Sequence, residues 1–174
     1  MSVIDKVGHV AESCRTNRGK RSVVYAVFSP GASASTHFHT DFDETLEVTE
    51  GELIVWIERK KHRLTPGDRV AIPRGVRHRF KNKSGAFAKA IVTLEPGHRG
   101  YEQNIAILRG LQADGKLEEI RNPTPETIPT GLVLARLSNV NLTGLTLLMS
   151  KLLRRLYSGE QVDQRQKELL AKYG

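Results

Sequence analysis

The sequence contains a single cysteine, Cys14, and therefore cannot form a disulfide bond within the chain. A fold without disulfides does not depend on an oxidising compartment, so a cytoplasmic location is expected. Residues 1–13 also lack the apolar core of a secretory signal. The first absence excludes a disulfide-dependent fold, and the second predicts a protein made without a secretory leader.

Aromatic residues are scarce at 6%, and few side chains are available to stack on nucleic-acid bases. The formal net charge is nevertheless +8. The basic residues fall into separate groups at 59–63, 74–83 and 151–155, and no recognisable nucleic-acid-binding motif contains them. We therefore expect no nucleic-acid partner, and solubility or attraction of an anionic ligand explains the charge. No apolar run is long enough to span a membrane.

The remaining composition is that of an ordinary globular protein. Hydrophobic residues make up 39% of the 174 residues and charged residues 26%. This balance allows a real core, and the length fits one domain or one domain with a substantial extension. No internal repeat is visible, so we expect a single barrel and not a double one.

Two histidines two residues apart, His37 and His39, are the first candidates for chemistry. In an extended strand, side chains at i and i+2 leave the same face, so both imidazoles should point into one space. Glu44 opens an alternating segment typical of a half-buried strand. Two imidazoles and a carboxylate from neighbouring strands can form a divalent-metal site. Taken alone, however, an HxH pair is equally compatible with solvated or hydrogen-bonded side chains.

The spacing around these residues is more specific than the pair itself. Gly31 is followed by five residues, His37-x-His39, four residues, Glu44, six residues and Gly51. After fifteen intervening residues, Gly67 is followed by five residues, Pro73-x-Gly75, two residues, His78, three residues and Asn82. These two motifs, at 31–51 and 67–82, match both signatures of the cupin superfamily, and the short gap resembles its compact microbial members.

The cupin resemblance covers about residues 20–96 and implies a fold and a site. The fold is mainly β, a double-stranded β-helix or jelly-roll barrel, here followed by an α-helical extension. The implied ligands of one divalent transition metal (Fe, Mn, Ni, Zn, Co or Cu) are His37, His39, Glu44 and His78. The resemblance also implies turns at the motif glycines, a structural role for Asn82, and pairing into a homodimer through a sheet edge.

Short apolar segments separated by turn residues predict the strands of a sandwich or barrel. On the segment after Gly75, period two places His78, Phe80 and Asn82 on one face, so Arg77, Arg79 and Lys81 should face outward. Residues 1–19 are predicted to form an arm or an edge strand. The clearest predicted strands are Ser22–Phe28, Thr36–Thr40, Glu44–Glu50, Glu52–Glu58, His62–Thr65, Arg69–Ile72 and Ala86–Leu94, with a hairpin tip at Arg59–Lys61.

The pattern changes after Gly100, which divides the chain into a barrel over 1–100 and a helical extension over 101–174. Apolar residues at helical spacing predict helices over Gln103–Ala113, Gly131–Ser138, Leu142–Tyr157 and Val162–Tyr173, with a proline-containing linker over Asn122–Pro129.

The predicted helix Leu142–Tyr157 is rich in leucine and basic residues. Leu145, Met149, Leu152 and Leu156 share one of its faces, with Lys151, Arg154 and Arg155 off that face. Packing of this face on the barrel or on a second subunit is favoured, so peripheral membrane contact is not expected. The alternative is that the helix lies on an acidic membrane surface.

The implied metal site is compatible with two classes of function. One is a metal-dependent enzyme acting on a small organic molecule, a dioxygenase-type oxidoreductase in the first place, with isomerase or lyase chemistry as the alternative. The other is a non-catalytic protein that binds or senses a metabolite. Candidate general bases are Glu44, released from the ion, and a hydroxide generated at the metal.

The surroundings of the site can be predicted only in outline. Asp41 and Asp43 are candidates for orienting the ligand histidines. Apolar walls are expected from inward-facing strand positions, and such walls suit a mostly apolar ligand that carries a metal-chelating oxygen pair. The positions expected to line the pocket are Val27, Leu46, Val48 and Phe80.

Overall fold

A computed structural model describes residues 7–174 and contains two five-stranded antiparallel sheets. This architecture confirms the predicted jelly-roll barrel. The strands are β1 (His9–Glu12), β2 (Ser22–Phe28), β3 (His37–Phe38), β4 (Asp43–Glu50), β5 (Leu53–Ile57), β6 (Lys60–Leu64), β7 (Arg69–Ile72), β8 (His78–Lys81), β9 (Ala88–Glu95) and β10 (Asn141–Leu142). The first sheet has the order β1-β2-β9-β4-β7, and the second has the order β10-β3-β8-β5-β6. Residues 1–6 of the predicted arm lie outside the described residues, while β1 forms the predicted edge strand.

Strict alternation along β4 explains how the barrel is filled. Glu44, Leu46 and Val48 are buried, and the residues between them are more exposed. Leu46 and Val48 join a core cluster to which the inner faces of both sheets contribute. Because the side-chain period of a strand is two, the same alternation that fills the core also turns Glu44 into the barrel.

Gly51 shows why the first motif ends in glycine. Its φ is +74°, and a Cβ at this position would lie 2.6 Å from the carbonyl oxygen of Phe87. Both the left-handed backbone and the close approach exclude larger residues. The hairpin that follows is tighter than predicted, because its turn lies at Glu58–Arg59 and β6 already begins at Lys60. β6 is an edge strand, where basic side chains remain solvated without being in a loop.

The outer face of the second sheet carries the predicted cations. Arg79 pairs with Trp56 in the ladder, and its guanidinium lies 3.8 Å from the centre of the Trp56 ring. Lys81 pairs with Ile54 on the same face. The outward orientation predicted for these two residues is confirmed. The inward orientation predicted for Val27 is wrong, because Val27 pairs with the exposed Lys89 on the outer face of the first sheet.

Five helices follow the barrel strands, one more than predicted. The additional helix is the short α2, and the predicted linker is narrower because α3 begins at Ile128 with a proline in its first turn, where proline is tolerated. The helices are α1 (Arg99–Ala113), α2 (Leu117–Arg121), α3 (Ile128–Leu137), α4 (Gly144–Leu156) and α5 (Gly159–Tyr173). Residues of α1, α3 and α5, among them Ile107, Val133 and Leu169, form a second core cluster.

Two of the contacts between the helical segment and the barrel show how the segments are joined. At the first, the buried carboxylate of Glu102 on α1 accepts hydrogen bonds from the Ser22 hydroxyl, the Cys14 backbone N–H and the Ser13 hydroxyl. At the second, β10 pairs with β3 and extends the second sheet. The division at residue 100 stays a prediction, and these contacts connect the two sides of it.

The apolar face predicted for α4 exists, but the rest of this chain leaves at least half of each of its side chains exposed. Leu145, Leu148, Met149, Leu152 and Leu156 are 74, 62, 53, 50 and 66% exposed. Of the two packing partners expected for this face, the barrel leaves it largely uncovered, and packing on a second subunit stays a prediction. The helix instead uses a neighbouring face for packing, on which Leu153 joins the second core cluster. Among the described residues, no helix is long and apolar enough to cross a membrane.

Candidate metal centre

Three buried histidines meet inside the barrel at the end of β3. His37 and His78 occupy paired positions on β3 and β8, and His39 follows β3 directly. The three rings are only 4 to 6% exposed. Their centroids are 4.3 Å apart for His37 and His78, 5.0 Å for His37 and His39, and 5.2 Å for His39 and His78. Each histidine offers a ring nitrogen, and these nitrogens lie within 4.8 Å of one another.

Glu44 reaches the same space from the opposite sheet. Its Oε2 atom lies 3.0 Å from His78 Nε2 and 3.5 Å from His39 Nε2. The motif spacing therefore predicted correctly which side chains converge. Two sheets position them: His37 and His78 face inward from the second sheet, and Glu44 faces inward from β4 in the first.

The Nδ1 atoms of two histidines are held by the backbone two residues earlier in the chain. His37 Nδ1 lies 2.7 Å from the Ser35 carbonyl oxygen, and His78 Nδ1 lies 3.0 Å from the Val76 carbonyl oxygen. A carbonyl can only accept, so the contact requires the proton on Nδ1. Each Nε2 atom then keeps its lone pair, which is the form in which imidazole binds a metal.

The third ring is held by the helical segment. His39 Nδ1 lies 3.0 Å from the carbonyl oxygen of Asn139, which is 100 residues later in the sequence. Asn139 has a φ of +52°, and its Oδ1 accepts a hydrogen bond of 2.6 Å from the Thr40 N–H. The Asn141 side chain also donates to the Asn139 carbonyl. Sequence reasoning missed this contact, because nothing in the local pattern of residues 139–142 indicates a partner in the barrel.

One polar atom of the site lacks the partner that burial normally requires. Among the described residues, His78 Nε2 is buried and makes no hydrogen bond. The Glu44 oxygen is 3.0 Å away, but its position does not satisfy hydrogen-bond geometry. A buried polar atom without a partner costs about 1–3 kcal/mol. A cation between the two groups would remove this cost, and three imidazoles with one carboxylate suit a divalent transition metal. The residues present therefore fit such an ion.

Electrostatics favour the metal-binding forms of His37 and Glu44, whereas His78 must release its proton to bind a metal. Burial, reinforced by the neighbouring His78, lowers the pKa of His37 to about 4, so the ring is neutral at neutral pH. Burial alone would raise the pKa of Glu44, but the His39 and His78 rings outweigh it and hold the pKa well below its usual range. Burial opposes the charged form of His78 as well, but the Glu44 carboxylate outweighs it and raises the His78 pKa.

The acids predicted to orient the histidines have other partners. Asp43 forms an ion pair with Arg74, with Nε 3.1 Å from Oδ1. Asp41 accepts a hydrogen bond from the Thr40 hydroxyl and lies 3.4 Å from His98 Nε2. The orienting role predicted for both acids is wrong, because backbone carbonyls occupy all three Nδ1 atoms.

Two aromatic residues that sequence reasoning did not single out border the site. Phe42 is fully buried, and its ring stacks on His39 with centroids 4.5 Å apart. Tyr101, on α1, contacts the Phe42 ring edge to face at 6.0 Å. Burial and the nearby Glu44 charge raise the Tyr101 pKa, so its phenol stays protonated at neutral pH. An apolar residue between two loop acids was the available signal for Phe42. The predicted wall residues Leu46, Val48 and Phe80 do pack inside the barrel.

Comparison with known proteins is consistent with this geometry. A family model described as "Cupin domain" matches residues 24–94. "Protein SchB" of Streptomyces halstedii is 37% identical over 71 residues, which are 41% of this chain and 51% of that protein. "Tetracenomycin polyketide synthase protein TcmJ" of Streptomyces glaucescens is 31% identical over 68 residues, 39% of this chain and 46% of that protein. This chain thus spans about half the length of these relatives.

Among solved structures, KdgF from Halomonas sp. is similar with a TM-score of 0.47 and 24% identity. The match covers 51% of this chain and 76% of that one.

Proposed function

We propose that the barrel of this chain, whose residues 24–94 match the family model "Cupin domain", binds one divalent transition metal through His37, His39, Glu44 and His78. The observation that carries the proposal is the common arrangement of the three rings. Each Nδ1 faces a backbone carbonyl, which leaves each Nε2 free, and the buried His78 Nε2 has no other partner. The donor set accepts Fe, Mn, Ni, Zn, Co or Cu, and it does not select among them.

We further propose that the protein is a metal-dependent enzyme acting on a small organic molecule, with dioxygenase-type oxidation as the first reaction class to test. A bound ion would supply Lewis acidity and a template for substrate and dioxygen. The chain's own residues supply the surroundings. Phe42, fully buried against His39, keeps water from that side of the site. Tyr101 keeps its proton near Glu44 and can donate a hydrogen bond to a substrate oxygen.

The lowered pKa of Glu44 bears on its two proposed roles. A carboxylate whose pKa lies well below its usual range is a weak proton acceptor, so the ligand role is favoured over that of general base. If Glu44 acts as a base, it must first leave the charges that stabilise its anion. Substitution of Glu44 should then affect metal retention before it affects any proton transfer.

The substrate class follows from the walls and from the relatives. The barrel interior beside the site is apolar, with Leu46, Val48 and Phe80 in its core cluster. One of the relatives, TcmJ, is named as a polyketide synthase protein. We therefore propose a mostly apolar substrate of polyketide type that chelates the ion through two neighbouring oxygens. Isomerase or lyase chemistry on the same chelate is the alternative reaction, and binding or sensing without turnover is the alternative function.

Metal content tests the site directly. Protein purified without added metal should contain about one transition-metal ion per chain by elemental analysis. His37→Ala should lose this ion while circular dichroism reports an intact barrel. His62→Ala, on the edge strand β6, is the matched control and should retain the ion. Equal metal content in the two variants would contradict the ligand assignment.

Oxygen uptake tests the reaction class. The metal-loaded protein should consume dioxygen with at least one member of a panel of catechols, flavonols, enediols and polyphenolic β-diketones. Isomerisation or cleavage of a panel member without oxygen uptake would favour the alternative enzyme class. Thermal stabilisation by a ligand without any turnover would favour the binding protein. The homodimer and the cytoplasmic location expected from the sequence stay predictions that do not affect these tests.

A further inference from the structure

We propose that α4, together with three arginines of the barrel, forms a docking surface for an anionic lipid bilayer. The surface, called here the α4 surface, has an apolar part and a basic part. The apolar part consists of Leu145, Leu148, Met149, Leu152 and Leu156, and the basic part consists of Arg59, Arg77 and Arg79.

The apolar part is a continuous stripe along one side of the helix. Each member lies three or four residues from at least one other member, so they share a face of α4. All five are at least half exposed, from 50% for Leu152 to 74% for Leu145. Single exposed leucines are common, but a contiguous row of large apolar residues marks a surface that contacts something apolar. The stripe extends for about 17 Å along the helix axis.

The basic part lies at the N-terminal end of this stripe. Arg59, Arg77 and Arg79 line one groove of about 570 Å³, and Leu145 lines it too. Of the groove's lining residues, Glu58 alone is acidic, and its carboxylate accepts a hydrogen bond from the Arg77 backbone N–H. In the part of the chain that the structure describes, no acid forms an ion pair with any of the three guanidinium groups.

Further positive charge flanks the stripe along the helix. Lys151 and Arg155 are exposed on α4, and the sequence of the helix, GLTLLMSKLLRRL, contains no acidic residue. Leucine on one side and Lys or Arg on the other is the composition of helices that lie in the plane of a membrane interface. The anionic headgroups of such an interface attract basic residues and offer phosphates that the arginine forks can bind.

Charge favours a bilayer over a second copy of this chain. In a two-fold symmetric contact the same patch meets itself, so the α4 surfaces would bring cations against cations. The net charge of +8 adds to this repulsion. A bilayer instead provides an apolar layer for the leucines and negative charge for the arginines. Because no described helix can cross a membrane, the contact we propose is confined to the membrane surface.

The test is co-sedimentation of the full chain with lipid vesicles. The protein should sediment with phosphatidylglycerol-rich vesicles and much less with pure phosphatidylcholine vesicles, and added salt should weaken the binding. The double variant L148E/L152E should lower binding about tenfold or more, since it places charge in the apolar stripe. Lys167→Glu on α5 is the control. It changes the net charge by the same two units at an exposed site away from α4, and it should bind nearly as well as the wild type.

A second variant tests the basic part without altering the helix. R59Q/R79Q should weaken binding to the anionic vesicles and reduce its salt dependence. The proposal is overturned if the wild type does not bind anionic vesicles, if it binds both lipids equally, or if L148E/L152E binds as the Lys167→Glu control does. A dimer that L148E/L152E dissociates, measured by light scattering in the absence of vesicle binding, would assign the surface to a second copy and also overturn the proposal.

Discussion

The three histidines of the site are held in two different ways. His37 and His78 each face a carbonyl two residues earlier in the chain, at Ser35 and Val76, just before the strands that the histidines begin. His39 faces a carbonyl of Asn139, beyond the barrel strands. The first kind of support accompanies the strand wherever it folds. The second exists only when the helical segment has docked, so one metal site combines local and long-range support.

The difference matters because ring orientation determines where each Nε2 points. A segment that supplies both the ring and its acceptor fixes them together. A ring that depends on a distant loop is only as well oriented as the loop. His39 should therefore be the donor most sensitive to changes outside the barrel, although all three rings are equally buried.

The largest effect is expected from removing one histidine of each kind, which tests whether both are metal ligands. His78→Ala and His39→Ala should both reduce bound metal from about one ion per chain to nearly none, because each removes an Nε2 donor. Elemental analysis of the purified variants measures this. If His39→Ala retains the ion, the ring held by Asn139 is not a ligand, and the comparison loses its functional meaning.

Glu44→Gln should have the next largest effect. The variant keeps the shape of the side chain and removes the charge, so metal affinity should fall by about a hundredfold. Competition with a chromophoric chelator measures this affinity. Asp43→Asn is the matched control: Asp43 pairs with Arg74 at the surface and should leave the affinity nearly unchanged. A similar loss in both variants would mean that net charge, and not ligation, controls binding.

In the metal-free protein, protonation of His37 and of His78 should have opposite effects on the pH dependence of stability. The pKa of His37 lies near 4 when folded and at 6.5 ordinarily, so the unfolded chain takes up this proton first. Stability from this group is full above pH 6.5 and decreases as the pH falls towards 4, by at most about 3 kcal/mol. The raised pKa of His78 acts in the opposite direction, with stability present at low pH and lost as pH rises through the folded value. Glu44, whose pKa is lowered, again favours folding at higher pH.

NMR titration of the ring nitrogens checks this order. His37 should remain neutral throughout the range from pH 6.5 down towards 4, and His78 should take up its proton at higher pH than His37. If the two rings titrate together near the ordinary value, the buried geometry that distinguishes them is not present in solution.

The smallest effect is expected from changing Asn139, whose carbonyl supports the His39 ring. Asn139 has a φ of +52°, which valine adopts poorly and glycine adopts freely. Asn139→Val should displace the carbonyl and weaken metal binding about tenfold through His39. Asn139→Gly keeps the backbone conformation, removes only the side-chain contacts to Thr40, and should have a smaller effect. Chelator competition distinguishes them, and equal affinities for Val, Gly and wild type would show that the loop does not orient the ring.

Local periodicity explains which parts of this molecule can be predicted from sequence. Alternation places Glu44, Leu46 and Val48 inside, and the strands Ser22–Phe28 and Arg69–Ile72 have their predicted ends. The direction of a side chain within a strand follows from the neighbouring residues alone. The spacing of His37, His39 and His78 in the two motifs predicts that their rings converge. In strands without a motif, the inward or outward direction of a side chain is harder to predict, as the outward position of Val27 demonstrates.

The features that escaped prediction depend on contacts between distant segments. No residue near Asn139 reveals that its carbonyl faces His39, and no residue near Asp43 reveals that Arg74 engages it. The exposed face of α4 is a similar case. An amphipathic pattern indicates an apolar face, but only the packed chain reveals whether another segment covers it.

The short strand β10 has a consequence for biosynthesis. Residues 141 and 142 pair with the strand that carries His37, and the residue two places before them holds His39. A ribosome that has completed every barrel strand up to Glu95 has therefore not yet supplied the last support of the site. Until then the His39 imidazole lacks its carbonyl partner, so productive metal loading should await translation of the segment that follows α3.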